Sequence, residues 1–180
     1  MQNNNNLPFT KTSAGLICLD YYDGKYRGPV QLRYALGNSL NIPAVKLIGM
    51  VGVKDVLETA YEMGLNSLPP TKETLERVGL SLTLGGGEVK LLELTGGYSA
   101  FFNGGTKAEP LAILKVEDNS GKVLEEVKPK KGKKVISPEE AFIISNILSD
   151  NSARSDAFGP NSLLNISGRQ IAVKTGTTND

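Results

Sequence analysis

Apolar residues recur at helical spacing through most of the chain, and several of the helices that they predict have clear end signals. The predicted helices cover residues 29–38, a stretch with Pro43 in its first turn, 53–63, 71–78, a stretch that follows Glu88 and ends at 103–105, and 137–149. Gly64 stands where a helix C-cap favours glycine. Ser137-Pro138-Glu139-Glu140 combines a capping box with proline at the first helical position. The pattern therefore predicts a mostly helical molecule.

Two stretches alternate between apolar and polar residues, as β-strands do. Residues 109–127 predict a hairpin around Asp118-Asn119-Ser120-Gly121. Residues 169–177 predict a closing strand in which Ala172, Lys174 and Gly176 share one face. Because a strand satisfies its backbone groups only beside another strand, either this segment pairs with the hairpin or its natural neighbours are missing. Helices, a hairpin and one further strand together indicate an α+β fold.

Composition narrows the chemistry more than the fold. The chain has 180 residues, enough for one domain, with one cysteine and no histidine. Ser-His-Asp and Cys-His mechanisms, an internal disulfide and the usual zinc and iron sites are therefore excluded. A nucleophile here needs a lysine, a carboxylate or a second hydroxyl as its base. The net charge of +1 gives no broad attraction to nucleic acid or to an anionic membrane.

Two short motifs are candidates for a functional site, although each has an ordinary structural interpretation. In the Lys174-Thr175-Gly176 motif the lysine lies between Ala172 and Gly176 on one strand face, and these have little or no side chain. That arrangement suits a cleft wall that binds a carboxylate. An edge-strand lysine next to a turn glycine explains the same residues. Ser39-Leu40-Asn41 lies at a helix break, where Asn41 is also a candidate cap for the next helix. Taken singly, each motif favours the structural interpretation.

Taken together, the motifs resemble the transpeptidase (penicillin-binding) domain of class A bifunctional penicillin-binding proteins. The resemblance extends over three longer stretches, YDGKYRGPVQLRYALGNSLNIPAVKL, LTLGGGEVKLLELTGGYSAFFNGG and GRQIAVKTGTTND. It covers residues 22–180 and leaves residues 1–21 as a polar, flexible N-terminal segment. It implies part of a β-lactamase/transpeptidase-like fold: mostly the helical part, plus a β-hairpin and one strand of the central antiparallel sheet.

The resemblance also implies roles for the motif residues. Ser39 is expected to relay a proton between a general-base lysine and the leaving group, and Asn41 to orient that lysine. Lys174 is expected to serve both catalysis and substrate binding.

The other expected substrate-binding residues are Thr175, Gly176 and Thr177. Thr177 would help Lys174 to bind the terminal carboxylate of the ligand, and its backbone N–H would be an oxyanion-hole donor.

The expected partners are D-alanyl-D-alanine stem peptides of peptidoglycan and β-lactams, with no nucleic acid, metal or organic cofactor. By resemblance, the intact enzyme acts on the extracytoplasmic face of the bacterial membrane. It is expected to be tethered there by a helix outside this segment, which itself makes no membrane contact.

One departure from the family pattern is serious. The family's nucleophile lies in a Ser-x-x-Lys motif upstream of Ser-x-Asn, and no serine of this chain has a lysine three residues later. We therefore expect a piece of a serine-type D,D-transpeptidase, truncated at both ends and inactive alone.

Two alternatives remain open on the sequence alone. The first is a non-catalytic remnant that still binds a carboxylate or peptide. The second, less well supported, is a helix-turn-helix DNA-binding module over residues 32–51. Only Arg33 and Lys46 are basic between residues 31 and 51, which argues against DNA binding.

Overall fold

The computed structural model describes residues 27–176 together with the paired stretches 11–12 and 15–16. Most of the predicted polar N-terminal segment, residues 1–21, therefore lies outside the described residues. The short strand pair within it, β1 (Lys11–Thr12) and β2 (Gly15–Leu16), was not predicted from the sequence.

Helices make up most of the described chain, as the apolar spacing predicts. They are α1 (Leu32–Gly37), α2 (Asn41–Val51), α3 (Val53–Glu62), α4 (Lys72–Val78), a 3₁₀-helix (Gly79–Leu84), α5 (Leu91–Phe102), α6 (Pro138–Ser149) and α7 (Ser155–Phe158). The capping box at Ser137 is formed, because its hydroxyl accepts from the Glu140 N–H while the Glu140 carboxylate accepts from the Ser137 N–H. The 3₁₀-helix and α7 are not among the helices that the sequence predicts.

The remaining strands form two small antiparallel pairs. β3 (Thr106–Lys107) pairs with β6 (Lys133–Lys134), and β4 (Lys115–Glu117) pairs with β5 (Val123–Glu126). The second pair confirms the predicted hairpin, and Asp118 closes its turn by accepting hydrogen bonds from the backbone N–H groups of Ser120 and Lys122.

Among the predicted β-strands, the closing strand at residues 169–177 is the one that the structure contradicts. Residues 169–176 have no regular secondary structure, belong to no strand of the described chain and do not pair with the hairpin. Instead, the backbone N–H of Val173 donates to the carbonyl oxygen of Leu148 at 2.9 Å, at the end of α6. No described strand lies alongside, so this bond to a helix carbonyl takes the place of backbone hydrogen bonds between strands. The segment is therefore held by a helix end.

The best-packed core lies away from this segment. Leu57 on α3, Leu68 in the following loop and Val78 on α4 are almost completely buried. Other apolar residues pack around them, namely Val53, Leu65, Leu75, Leu82 and Val89. This core holds residues 53–89 together, whereas the candidate site residues lie at the α1–α2 junction and beyond α6.

Replacing Leu57 with alanine is expected to lower the free energy of unfolding by roughly 2–5 kcal/mol, because the side chain is wholly buried and would leave a cavity. Leu163 is 97% exposed, so Leu163→Ala is the matched control. Its free energy of unfolding is expected to change by no more than about 0.5 kcal/mol. Urea unfolding followed by circular dichroism measures both. Equal losses in the two variants would show that this core does not stabilise the fold.

Candidate active site

The structure brings together two predicted site residues that lie 135 positions apart. The Lys174 ammonium donates one hydrogen bond to the Ser39 hydroxyl oxygen at 2.7 Å and another to the Thr175 carbonyl oxygen at 2.8 Å. A lysine ammonium has three N–H donors, so among the described residues one donor remains for a ligand. Ser39 and Lys174 thus form a hydroxyl–ammonium pair that can hold an anion and pass a proton.

Ser39 reaches Lys174 from a tight turn that ends α1. Asn38 is the C-cap of this helix, and Ser39 follows it with φ 56°, the one positive φ of a non-glycine residue in the described part of the chain. The N–H of Leu40 donates to the Ala35 carbonyl at 2.9 Å and the N–H of Ser39 to the Leu36 carbonyl at 3.2 Å. This pair of bonds defines a Schellman motif, with Ser39 at the position that usually takes glycine.

Two other helices of the same molecule end in the same way but use glycine. After α3, Gly64 has φ 108° and Leu65 donates back to Ala60 at 3.0 Å. After α5, Gly104 has φ 60° and Gly105 donates back to the helix at 2.7 Å. The left-handed conformation costs a residue with a Cβ roughly 1–2 kcal/mol. A serine at this position is therefore locally unfavourable, as residues at functional sites often are.

The Asn38 side chain ties the turn to a distant part of the chain. Its amide group donates to the carbonyl oxygens of Tyr34 at 2.9 Å and Ala153 at 2.7 Å, and its oxygen accepts from the Ala157 N–H at 2.8 Å. No sequence motif singles out Asn38. The one signal in the sequence is that an asparagine, whose amide can donate and accept hydrogen bonds, directly precedes the candidate serine at a helix break.

The end of α6 holds the other half of the pair. The Leu148 carbonyl oxygen accepts from the Val173 N–H, next to Lys174, and also from the guanidinium of buried Arg154 at 3.0 Å. Arg33 on α1 forms an ion pair with Asp150, just after α6, at 3.2 Å. α1 and the segment that carries Lys174 are thus both attached to the end of α6.

Burial determines the charge behaviour of Lys174. Its side chain is half-buried, and desolvation lowers its pKa below the ordinary value of a lysine. A lysine with a lowered pKa releases its proton more readily, which favours a role in proton transfer.

The remaining predicted residues have different placements. Asn41 is the first residue of α2, and Leu40 is the N-cap, so the alternative interpretation of Asn41 as a cap is wrong. Thr175 is half-buried, while Gly176 is exposed, and an added Cβ there would meet no described atom within 4 Å. Packing against the described residues therefore does not explain why residue 176 is a glycine. Thr177 lies outside the described residues.

Comparisons with known proteins point to one family. The family model described as the penicillin-binding protein transpeptidase domain matches residues 4–180. Penicillin-binding protein 1A of Aquifex aeolicus is 37% identical over 162 residues, which cover 88% of this chain and 20% of that protein. The chain thus spans about a fifth of the length of this relative.

Solved structures show the same fold. Penicillin-binding protein 1A from Haemophilus influenzae aligns with a TM-score of 0.68 and 26% identity, over 82% of this chain and 25% of that one. Penicillin-binding protein A from M. tuberculosis, in an imipenem acyl-enzyme complex, aligns with a TM-score of 0.71 and 20% identity, over 96% and 42%. The predicted α+β, partial transpeptidase-like fold is confirmed.

The strain at Ser39 can be measured by comparing two variants that both lack the hydroxyl. Ser39→Gly is expected to be more stable than Ser39→Ala by about 1 kcal/mol, because only glycine adopts this conformation without cost. Gly104→Ala is the matched control: its new Cβ meets no described atom within 4 Å, so a similar loss relative to the unmodified chain is expected. Thermal or urea unfolding measures both differences. Equal stability of the two Ser39 variants would rule out strain at this turn.

The lowered pKa of Lys174 predicts a pH dependence of stability. Between the folded pKa and the ordinary lysine value of about 10.4, the unfolded chain binds more protons at this residue, so its contribution to stability increases as the pH rises. Relative to Lys174→Met, the unmodified chain should therefore gain stability from neutral pH towards pH 10. Lys72 is exposed, and Lys72→Met is the matched control. If the stability of the unmodified chain relative to Lys174→Met fell as the pH rose, burial could not be the cause of the lowered pKa.

Proposed function

Because this chain belongs to the penicillin-binding protein transpeptidase domain family, we propose that it forms the carboxylate-binding and proton-relay wall of a serine-type D,D-transpeptidase. Such an enzyme cross-links peptidoglycan stem peptides through an acyl-enzyme intermediate. The observation that carries the proposal is the contact between Ser39 and Lys174, two residues that the motif resemblance alone assigns to one site.

Each residue of the pair has a distinct task in the proposed mechanism. Lys174 uses its remaining N–H to bind the terminal carboxylate of a D-alanyl-D-alanine stem peptide, and this charge-assisted hydrogen bond sets the position of the peptide. Ser39 passes a proton from the general-base lysine of the complete enzyme to the departing D-alanine amine. Asn41 orients that lysine, and Thr175, Gly176 and Thr177 complete the substrate-binding wall. The task of the pair requires no metal or organic cofactor.

The acyl-enzyme itself is assigned to no residue of this chain. None of its serines has a lysine three positions later, so we expect benzylpenicillin to leave the intact mass of the chain unchanged. A covalent adduct would contradict this part of the proposal. The complete enzyme would act on the extracytoplasmic face of the bacterial membrane, where peptidoglycan is assembled. No helix in the described ranges is long and apolar enough to cross a membrane.

The alternative functions have less support. Arg33, one of two basic residues in the candidate helix-turn-helix, is engaged with Asn146 and Asp150 within the molecule. DNA binding therefore lacks a favouring observation. Reversible binding without catalysis remains compatible with the Ser39–Lys174 pair, and a peptide titration tests it directly.

The chain is expected to bind Nα-acetyl-D-alanyl-D-alanine reversibly, and Lys174→Ala is expected to weaken binding roughly ten- to hundredfold. The reason is the loss of a charge-assisted bond worth about 1.5–3 kcal/mol. Isothermal titration calorimetry or lysine NMR shifts measure the affinity. The same peptide with a C-terminal amide lacks the carboxylate charge and should bind no better to the unmodified chain than the free acid binds to Lys174→Ala.

Lys107→Ala provides the matched protein control. Lys107 is also a partly buried lysine on an extended segment, but its ammonium is paired with Glu109 at 3.1 Å. Its replacement should leave peptide affinity unchanged. Equal binding of the amide and the acid, or equal effects of the two lysine substitutions, would remove the support for carboxylate recognition by Lys174.

A further inference from the structure

We propose that Asn38 is a positioning residue that holds Ser39 in the turn from which its hydroxyl meets Lys174. The inference rests on the proposed function of the Ser39–Lys174 pair. It concerns a residue that belongs to neither of the two sequence motifs that contain Ser39 and Lys174. It follows from the hydrogen bonds of Asn38, from the packing of Gly37 and from the shared attachment of both halves of the site to the end of α6.

Asn38 is buried and its amide is fully engaged across the chain. It is 7% exposed, donates to the carbonyl oxygens of Tyr34 and Ala153, and accepts from the Ala157 N–H. Two of these partners lie more than 110 positions away in the sequence. An amide is suited to this place because it offers two N–H donors and an acceptor, whereas a carboxylate lacks the donors.

The helix end and the distant segment are in close contact at Gly37 as well. A Cβ added to Gly37 would lie 2.9 Å from the Ala153 carbonyl oxygen, which is too close for unstrained packing. The backbones therefore approach each other directly at this point, with the Asn38 amide bridging them. The turn that contains Ser39 is fixed to residues 153–157 by both contacts.

From residues 153–157 the connection to Lys174 is short. Arg154, in this segment, and Val173, beside Lys174, both donate to the Leu148 carbonyl oxygen. Ser39 and Lys174 are thus attached to neighbouring parts of one helix end, on one side through Asn38 and on the other through Val173. The Schellman bonds fix Ser39 relative to α1, which Arg33 attaches to the end of α6. Asn38 makes the attachment directly beside Ser39, so the 2.7 Å contact depends most closely on Asn38.

A purely local role for Asn38 is the competing explanation, and the molecule contains a suitable comparison. Asn103 is likewise the C-cap of a helix that ends in a Schellman-type turn, but its side chain is exposed and distant from Lys174 in the chain. If Asn38 serves only as a cap, then substitutions at the two positions should affect stability alone and should leave Lys174 unchanged.

The test follows the side chain of Lys174 directly, by NMR of the chain labelled with ¹³C,¹⁵N-lysine and by assignment through Lys174→Gln. The variants are Asn38→Ala, Ser39→Ala, the double variant, and Asn103→Ala as the control. Asn38→Ala is expected to shift the titration of Lys174 in the same direction as Ser39→Ala. The double variant is expected to add nothing further, because both substitutions remove the same contact. Asn103→Ala should leave the titration unchanged.

A second variant guards against unfolding of Asn38→Ala. Gly37→Ala keeps the Asn38 amide but pushes the turn away from Ala153, so it should shift the titration of Lys174 in the same direction. Unchanged Lys174 titration in a folded Asn38→Ala or Gly37→Ala variant, or an additive double variant, would overturn the proposal.

Peptide binding separates this proposal from the proposed function. If Asn38→Ala shifts Lys174 while the unmodified chain binds no D-alanyl-D-alanine peptide, positioning is upheld and the proposed function fails. If the unmodified chain binds the peptide and Asn38→Ala binds it about tenfold more weakly, both are upheld. Peptide binding that survives in Asn38→Ala, together with unchanged Lys174 titration, rejects positioning alone.

Discussion

The left-handed conformation of Ser39 is the constraint on which the site depends. A helix that ends in a Schellman turn must place one residue at positive φ, and α3 and α5 place Gly64 and Gly104 there. At the end of α1 the same position carries a serine, whose hydroxyl is thereby directed to Lys174. The cost of roughly 1–2 kcal/mol is offset by bonds that surround the turn rather than by the turn itself. The strained turn at Ser39 therefore depends on the hydrogen bonds that attach it to distant parts of the chain.

The end of α6 supplies the attachment. Backbone carbonyls in the last turn of a helix have no partner within the helix and must find one elsewhere. The Leu148 carbonyl accepts from both Arg154 and Val173, so an ordinary requirement of helix ends joins the segment that carries Lys174 to the rest of the fold. This explains how residues 171–176 are held without a strand ladder in the described chain. The position of Lys174 is determined by a helix end and a side-chain contact.

Much of this arrangement could be predicted from the sequence, and the limits have physical causes. The capping box at Ser137, the hairpin turn at Asp118 and the helix end at Gly64 are local signals, and all three were confirmed. Ser39 and Lys174 were assigned to one site by motif order, and the structure places their side chains 2.7 Å apart. What the sequence could not show depends on contacts between distant residues. Asn38 was not recognised, because its partners at Ala153 and Ala157 lie in a stretch for which the sequence pattern predicts no helix or strand. The predicted closing strand failed for a related reason: alternation shows which residues share a face, but it does not show whether a neighbouring strand is present.

The pKa of Lys174 matters because the sequence contains no histidine. With no imidazole in the sequence, this chain has no side chain whose ordinary pKa lies between about 5 and 8, so a proton relay on it would use groups with ordinary pKa values outside that range. Burial lowers the pKa of Lys174, and the Ser39 hydroxyl oxygen still accepts one of its N–H donors, so the ammonium remains hydrogen-bonded while it is partly desolvated. Desolvation and hydrogen bonding act in opposite directions on the charged form. Their balance depends on how firmly Ser39 is held, which links the proton chemistry of the site to the bonds that surround the α1 turn.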